Sequence, residues 1–319
     1  YLSQSIERNS IGFAVKDTII CLSQASKNIA HFLSKNGLLE NQMGIQIGDV
    51  NADGDSQKAL DVIADQVIIA AIANKDVAAY FSEEQDTVLL LEQKGNLIVC
   101  ADPLDGSSNI DNNISVGTIF SILPRKNDSF EIDHITHDAL QPGVNQLASG
   151  FFMYGPQTTL ILTIGNGVVA FVLDNDEFVR MEWEPKLSQN GNQFAINMSN
   201  MRFWSQKARD YIHKCLDGEE GTFAKNYNMR WCGSLVADAW RIFREGGIFL
   251  YPEDSRKNYK TGRLRLIYEA NPIAFLVEQA GGRASNGKTE ILSIKPNAIH
   301  QRIPLIFGSK RDVANYENQ

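Results

Sequence analysis

The densest concentration of reactive side chains is the segment Asp102-Pro103-Leu104-Asp105-Gly106-Ser107-Ser108-Asn109. Pro and Gly enforce a turn, and two carboxylates three apart can converge in it. The Ser-Ser-Asn that follows can open a helix, whose exposed N–H groups attract a phosphate. Carboxylates beside a phosphate site repel the substrate unless cations stand between them. The segment therefore points to Mg²⁺ or a similar hard ion held by oxygen ligands. Alone, D-P-x-D-G also reads as a capped strand-to-helix turn.

Other acidic residues add to this chemistry. Ser82-Glu83-Glu84 closes the apolar run from Val77 to Phe81. Asp55 and Asp61 flank the start of a candidate helix, where Asp55 alone also reads as a helix N-terminal carboxylate. Glu269 lies between the run LRLIY and Asn271-Pro272. Each signal is weak singly, since adjacent glutamates usually mark a solvated turn. A look-alike is set aside: Asp49-Val-Asn51-Ala-Asp53-Gly54 copies the first half of a calcium loop. Its twelfth position is Leu60 where a bidentate Glu is required, and Asp61 comes one place late. The chain has no G-x-x-x-x-G-K-[ST], and its five histidines lack zinc-ligand spacing.

The chain has 319 residues, 43% hydrophobic and 21% charged, which is ordinary globular usage. Its formal charge of -8 argues against a nucleic-acid footprint. An acidic protein that takes an anionic substrate must concentrate cations locally or recruit metal ions. Four cysteines without a C-x-x-C pair read as thiols in a reducing compartment. No apolar run reaches the roughly 18 residues of a membrane span, and the first residues lack a signal peptide's apolar segment. The expected location is cytoplasmic.

The acidic segments need elements to position them. Residues 11–35 read as an amphipathic helix with Ile11, Val15, Ile19, Leu22, Ile29 and Leu33 on one face and a stop at Gly37. The stretch 44–57 reads as a polar loop, and a loop over 44–56 that carries Asp55 could gate the site. A second helix follows with Leu60, Ile63, Val67 and Ala71 on one face. TVLLLEQ and NLIVCA read as a hairpin around Gly95. VGTIFSIL is another strand, and QLASGFFMYG, TTLILTI, GVVAFVLD and EFVRMEW form an antiparallel meander. After a change of pattern over 186–202 come helices near 204–216 and 233–245 and the strand GGIFLYP. A helix then starts at Asn271-Pro272 and ends at Gly281-Gly282, followed by the strand RIPLIFGS and a C-terminal helix. The expected fold class is mixed α/β, with helices layered on large sheets. Its subdomains are expected at 1–185 and 186–319.

At this point the sequence resembles class I fructose-1,6-bisphosphatase, within the magnesium-dependent, lithium-sensitive phosphatase superfamily. The landmarks are GDSQKALDV, SEE, DPLDGSSNID, VGTIF, DALQPG, GSLVAD, GGIFLYP, LRLIYEANP and AGG, spread from about residue 25 to 310. DPLDGS alone marks the superfamily, whereas GGIFLYP with LRLIYEANP marks the bisphosphatases. The resemblance implies a layered α-β-α-β-α sandwich, a homotetramer, and Mg²⁺-dependent hydrolysis of the 1-phosphate of fructose 1,6-bisphosphate by metal-activated water. Two or more Mg²⁺ per subunit are implied, with Mn²⁺ as the other candidate ion. It places the metal ligands on Glu83, Glu84, Asp102, the Leu104 carbonyl, Asp105 and Glu269, with Asp55 approaching. Asp61 and Glu84 match the pair that orients and deprotonates the attacking water. Asp105, Gly106, Ser107 and Ser108 fall at the reacting phosphate. Asn197, Arg230, Tyr251 and Arg263 fall at the far phosphate and sugar, with Arg230 supplied by a neighbouring subunit. Arg suits this role because its planar fork gives two parallel hydrogen bonds.

Three departures stand out. Arg263 replaces the usual Lys, which bears on sugar preference and affinity. Trp231 stands where a Tyr often contacts the far phosphate, and Asn197-Met-Ser-Asn200 departs from an Asn-Glu-Gly pattern. The family's AMP inhibitory site is eroded: Gly12-Phe13-Ala14-Val15-Lys16 replaces a phosphate loop, and Asn96, Leu97 and Pro124 replace its other contacts. Two alternatives are a sedoheptulose-1,7-bisphosphatase, or dual enzyme, and an inactive sugar-phosphate-binding regulatory module. The inactive module predicts loss of at least one metal carboxylate, and Asp55, Asp61, Glu83, Glu84, Asp102, Asp105 and Glu269 are all present. Inositol monophosphatase fits less well, because GGIFLYP and LRLIYEANP point to a second phosphate pocket.

Overall fold

The computed structural model describes residues 10–35 and 55–319, with the side chains of Ser10 and of residues 55–58 outside that description. Helix α1 (Ser10–Ser34) buries Ala14, Val15, Ile19, Leu22, Ala25 and Ile29 at helical spacing, while Ile11, expected on that face, is 42% exposed. Helix α2 (Asp55–Ile72) buries Leu60, Ala64, Ile68 and Ile72. Its apolar face is thus rotated from the expected one, leaving Ile63, Val67 and Ala71 half-buried at its edge. Helix α2 also takes in residues 55–57, the end of the expected loop. The rest of that loop, the calcium-loop look-alike up to Gly54 and the side chain of Asp55 lie outside the described residues.

An eight-stranded sheet follows, built from β1 (Val77–Ser82), β2 (Leu89–Leu90), β3 (Leu97–Asp105), β4 (Val116–Pro124), β5 (Ala148–Tyr154), β6 (Thr158–Thr163), β7 (Val168–Asp174) and β8 (Glu177–Arg180). Helix α3 (Ile132–Ala139), absent from the expectation, connects β4 to β5. The spatial order is β2-β1-β3-β4-β5-β6-β7-β8. The expected meander is present, because β5 through β8 pair antiparallel in sequence. The expected hairpin is not. Strand β1 lies between β2 and β3, antiparallel to β2 and parallel to β3. All nine residues of β3 are buried, so it takes a central place, while half-buried β2 takes the edge. Gly95 makes the crossing possible: a Cβ there would lie 2.4 Å from the Ala78 amide nitrogen.

The second half supplies β9 (Gln193–Ala195), α4 (Gln206–Leu216), β10 (Asn228–Met229), α5 (Leu235–Glu245), β11 (Ile248–Tyr251), β12 (Leu264–Arg265) and α6 (Asn271–Gln279). Strands β13 (Arg283–Ser285), β14 (Arg302–Ile303), β15 (Leu305–Gly308) and helix α7 (Lys310–Glu317) complete it. A five-stranded sheet runs β10-β9-β11-β15-β13, and β12 pairs separately with β14. RIPLIFGS, expected as one strand, is two, because Pro304 has no N–H and the chain changes sheets there.

Alternating residues show the layers. Phe120, Phe152 and Leu162 face a core with α1 and α2, whereas Ile119, Phe151 and Ile161 face α5 and α6. Phe249 and Phe307 meet α5 and α6 from the second sheet, while Ile248 and Ile306 face α4 and α7. The result is the layered α-β-α-β-α sandwich. Among the described residues no helix is long and apolar enough to cross a membrane.

Candidate active site

The parallel pairing of β1 and β3 brings the acidic segments together. Ser82 and Ala101 are partners in that ladder, so both strands end side by side. Glu83 follows one and Asp102 continues the other. The turn after β1 is set by the Glu83 amide donating to Ala101 O (3.0 Å) and the Glu84 amide donating to Ser82 Oγ (3.2 Å). In β3, Asp102 pairs with Ile119 but Asp105 with Gly117, so one extra residue bulges out at Pro103-Leu104. The bulge is pinned by Thr118 Oγ1 donating to Pro103 O (2.8 Å) and the Leu104 amide donating to Asp102 Oδ1 (3.0 Å). Gly106 then turns with φ +76°, where a Cβ would lie 2.8 Å from Ser234 Cβ. A short 3-10 turn, Ser107–Asn109, begins there.

Glu269 arrives from the far end of the chain. It lies on a π-helical turn, Leu266–Ala270, that runs straight into α6. Its Oε2 accepts from the Arg265 amide at 2.6 Å. One carboxylate oxygen from each of Glu83, Asp102 and Glu269 lies within 4.8 Å of the others. Asp102 and Glu269 are each only 5% exposed. Arg265 touches this group, with its Nη2 3.3 Å from Glu83 Oε1.

The electrostatics follow from that crowding. Burial, then the charges of Glu83, Asp105 and Glu269, hold the Asp102 carboxyl well above the usual range. Burial and Glu83 do the same to Glu269. Burial pushes Asp105 up to about 7, against the hydrogen bonds that its Oδ2 accepts from the Val236 amide (2.9 Å) and Ser234 Oγ (3.1 Å). Burial and then Glu84 raise Asp61 to about 7, opposed by a hydrogen bond with Ser107. Glu84 is raised by burial, Glu83 and Asp65. Buried oxygens that repel one another and take up protons are a donor set suited to a hard divalent cation.

A cavity of about 630 Å³ contains the cluster. Glu83, Glu84, Asp102, Leu104, Asp105, Gly106, Ser107, Ser108 and Glu269 line it, together with Asn197, Tyr251 and Arg263. Asp61 is not among its lining residues and reaches it through Ser107 and Glu84. Arg230 does not line it either; it is exposed, and its Nη1 donates to Met229 O at 3.1 Å. Asn197 Oδ1 accepts from the Ser199 amide (3.2 Å) and Oγ (2.6 Å), and Arg263 Nη1 donates to the Tyr251 hydroxyl (3.1 Å). Trp231 lines the cavity and stacks on Phe249, with ring centroids 5.8 Å apart.

Residues 2–182 match the family model described as the N-terminal domain of fructose-1-6-bisphosphatase, and residues 187–319 match that of its C-terminal domain. The chain belongs to the fructose-1,6-bisphosphatase family. It is 48% identical over 307 residues to a class 1 fructose-1,6-bisphosphatase of Azorhizobium caulinodans, covering 95% of this chain and 92% of the relative. A class 1 enzyme of Sinorhizobium medicae is also 48% identical, over 92% of this chain and 84% of its own length. The crystal structure of Leishmania major fructose-1,6-bisphosphatase in holo form superposes with a TM-score of 0.89 at 31% identity, over 100% of this chain and 97% of that one.

Several further residues support this site without being assigned by any motif. Ser234, within GSLVAD, holds Asp105 through its hydroxyl. Asp238, fully buried on α5, accepts from the Cys232 and Gly233 amides and from Arg241 Nη2 (2.7 Å), fixing the segment that carries Trp231. The buried Asp in GSLVAD was the available signal. Asp65 accepts from the Tyr80 hydroxyl (2.8 Å) and Gln85 Nε2 (2.5 Å), bracing the turn of Glu83 and Glu84 from α2. Its place one helical turn after Asp61 was the available signal.

Proposed function

We propose that this chain hydrolyses fructose 1,6-bisphosphate to fructose 6-phosphate and inorganic phosphate, with Mg²⁺ as its metal and Mn²⁺ as a substitute. The observation that carries the reading is one cavity lined both by the cluster of Glu83, Asp102 and Glu269 and by Asn197, Tyr251 and Arg263. It supplies hard oxygen ligands for cations at the reacting phosphate, and an arginine with hydrogen-bonding groups for a second phosphate.

In this reading Glu83, Glu84, Asp102, Asp105, Glu269 and the Leu104 carbonyl hold the ions, and Asp55 joins them. When bound, divalent ions offset the charge of the phosphoryl group and acidify the attacking water. Asp61 and Glu84 orient that water and accept its proton as its oxygen bonds to phosphorus. The bond from phosphorus to the sugar oxygen breaks, and that oxygen takes up a proton. A carboxyl raised toward 7, as Asp61 is, suits proton transfer at neutral pH. Gly106, Ser107 and Ser108 seat the reacting phosphate. Asn197, Tyr251 and Arg263 seat the second phosphate and the sugar. Arg230, exposed at the end of β10, serves a neighbouring subunit in a homotetramer. Residues 1–185 form the metal-site subdomain and 186–319 the sugar-phosphate subdomain, in the cytoplasm.

The test is phosphate release from fructose 1,6-bisphosphate and sedoheptulose 1,7-bisphosphate, side by side, with and without Mg²⁺. Mg²⁺-dependent turnover favouring the fructose ester is expected. Comparable rates would make the enzyme dual-function, and no turnover of either would refute the substrate. Glu84→Gln is expected to lose at least about a hundredfold in kcat. Full turnover by that variant would remove Glu84 from its role.

A further inference from the structure

The loop over 252–263, which joins β11 to β12, carries contacts that neither the motifs nor the family resemblance assigns. Its backbone is fixed at several points. The Ser255 amide donates to Phe203 O (2.9 Å), the Tyr259 amide to Arg256 O (3.0 Å) and the Gly262 amide to Tyr259 O (3.0 Å). Gly262 has φ +87°, and a Cβ there would lie 2.1 Å from the Ile303 carbonyl carbon, so the loop is pressed against β14 where only glycine fits. Asp254 is 7% exposed and accepts from the Arg256 amide (2.9 Å) and Nε (3.0 Å), with Nη2 paired to its other oxygen.

The consequence is a short stack of cations and rings. Held by Asp254, the Arg256 guanidinium carbon lies 4.3 Å from the Tyr259 ring centroid and 4.8 Å from that of Phe203. Tyr259 is half-buried and lines the cavity. The exposed Arg263 has its guanidinium carbon 5.7 Å from the Tyr259 centroid and 5.9 Å from that of Tyr251. A free arginine loses much rotamer entropy when it fixes a ligand. Two flanking rings restrict it beforehand, and such pre-organisation appears as affinity.

We infer that Tyr259 is a positioning residue that orients Arg263 toward the second phosphate, and so sets the preference for a bisphosphate over a monophosphate; this rests on the reading proposed above. Tyr259 acts through Arg263 and touches no reacting atom. Its effect therefore belongs in KM for two-ended substrates and not in kcat.

The experiment is a double-mutant cycle of Tyr259→Leu and Arg263→Ala, assayed on fructose 1,6-bisphosphate and fructose 1-phosphate with Mg²⁺ present. Tyr259→Leu is expected to raise KM for the bisphosphate about three- to five-fold, with kcat within about twofold and the monophosphate kcat/KM unchanged. Tyr259→Phe keeps the ring and should retain the low KM. In the Arg263→Ala background, Tyr259→Leu should add no further loss. Equal loss on both esters, or full additivity with Arg263→Ala, would overturn the inference while wild-type preference for the bisphosphate keeps the proposed function standing. A wild type without that preference would overturn both.

Discussion

Stripped of divalent cations with EDTA, the protein should melt at a lower temperature at about pH 7.5 than at about pH 5.5. Asp105 moves from an ordinary 3.8 to about 7 on burial, and Asp61 to a similar value. Burial and the neighbouring Glu83 charge also hold Asp102 and Glu269 well above their ordinary values. In the unfolded chain these groups ionise near their ordinary values. Between about pH 4 and 7 the folded state therefore binds more protons than the unfolded state, and stability falls as pH rises. Each carboxyl that responds fully contributes about 1.4 kcal/mol per pH unit. A group at about 7 responds over the roughly 1.5 units from pH 5.5 to 7, which costs about 2 kcal/mol, or roughly 3 °C for a chain of this size.

Mg²⁺ competes with those protons, so its stabilising shift should be larger at the higher pH. Glu269→Gln supplies an internal control. It removes one buried ionisable group and keeps an acceptor for the Arg265 amide. In EDTA at about pH 7.5 it should melt higher than wild type, while losing the response to Mg²⁺ and most of the activity. Differential scanning fluorimetry across pH, with EDTA or MgCl₂, reads all of this. A melting temperature independent of pH in EDTA would refute the reasoning, as would an equal Mg²⁺ shift at both pH values.

Asp238→Ala removes the partner of Arg241 and leaves the Cys232 and Gly233 amides without theirs. It should cost about 3–5 kcal/mol in urea unfolding, with a smaller loss for Asp238→Asn. Gly117→Ala places a Cβ 2.1 Å from Phe152 O, inside the sheet, and should cost roughly 3 kcal/mol; an unchanged unfolding midpoint would contradict the packing of β4 on β5. AMP at micromolar concentration should leave the rate within about twofold, because the Asn96 amide is held by Asp76 and Leu97 is fully buried. Full inhibition that is lost on substitution of Gly12 or Lys16 would overturn this.

Much of the site was legible because its chemistry is local in sequence. DPLDGSS carries the bulge proline, the left-handed glycine and the helical start within a few residues, and each leaves a mark of its own. The five layers were legible through the resemblance, and the strands bear them out residue by residue: neighbours such as Phe151 and Phe152 are both apolar because both faces are covered. That same doubling hides the pairing partner. A strand buried on both faces has no alternation to set its neighbour, so TVLLLEQ and NLIVCA read as a hairpin when β1 lies between them. The position of β1 bears on function directly. The parallel β1–β3 ladder, formed by residues about twenty apart, is what puts Glu83 beside Asp102. Glu269 joins them from a π-helical turn within an apolar run that carries no local sign of that geometry. Tyr259 is harder still. Nothing in EDSRKNYKTG distinguishes it until Asp254 fixes Arg256 and Gly262 closes the loop on Ile303. Residues that do chemistry are constrained in type and leave motifs. Residues that aim them are constrained by contacts, and those exist only in the fold.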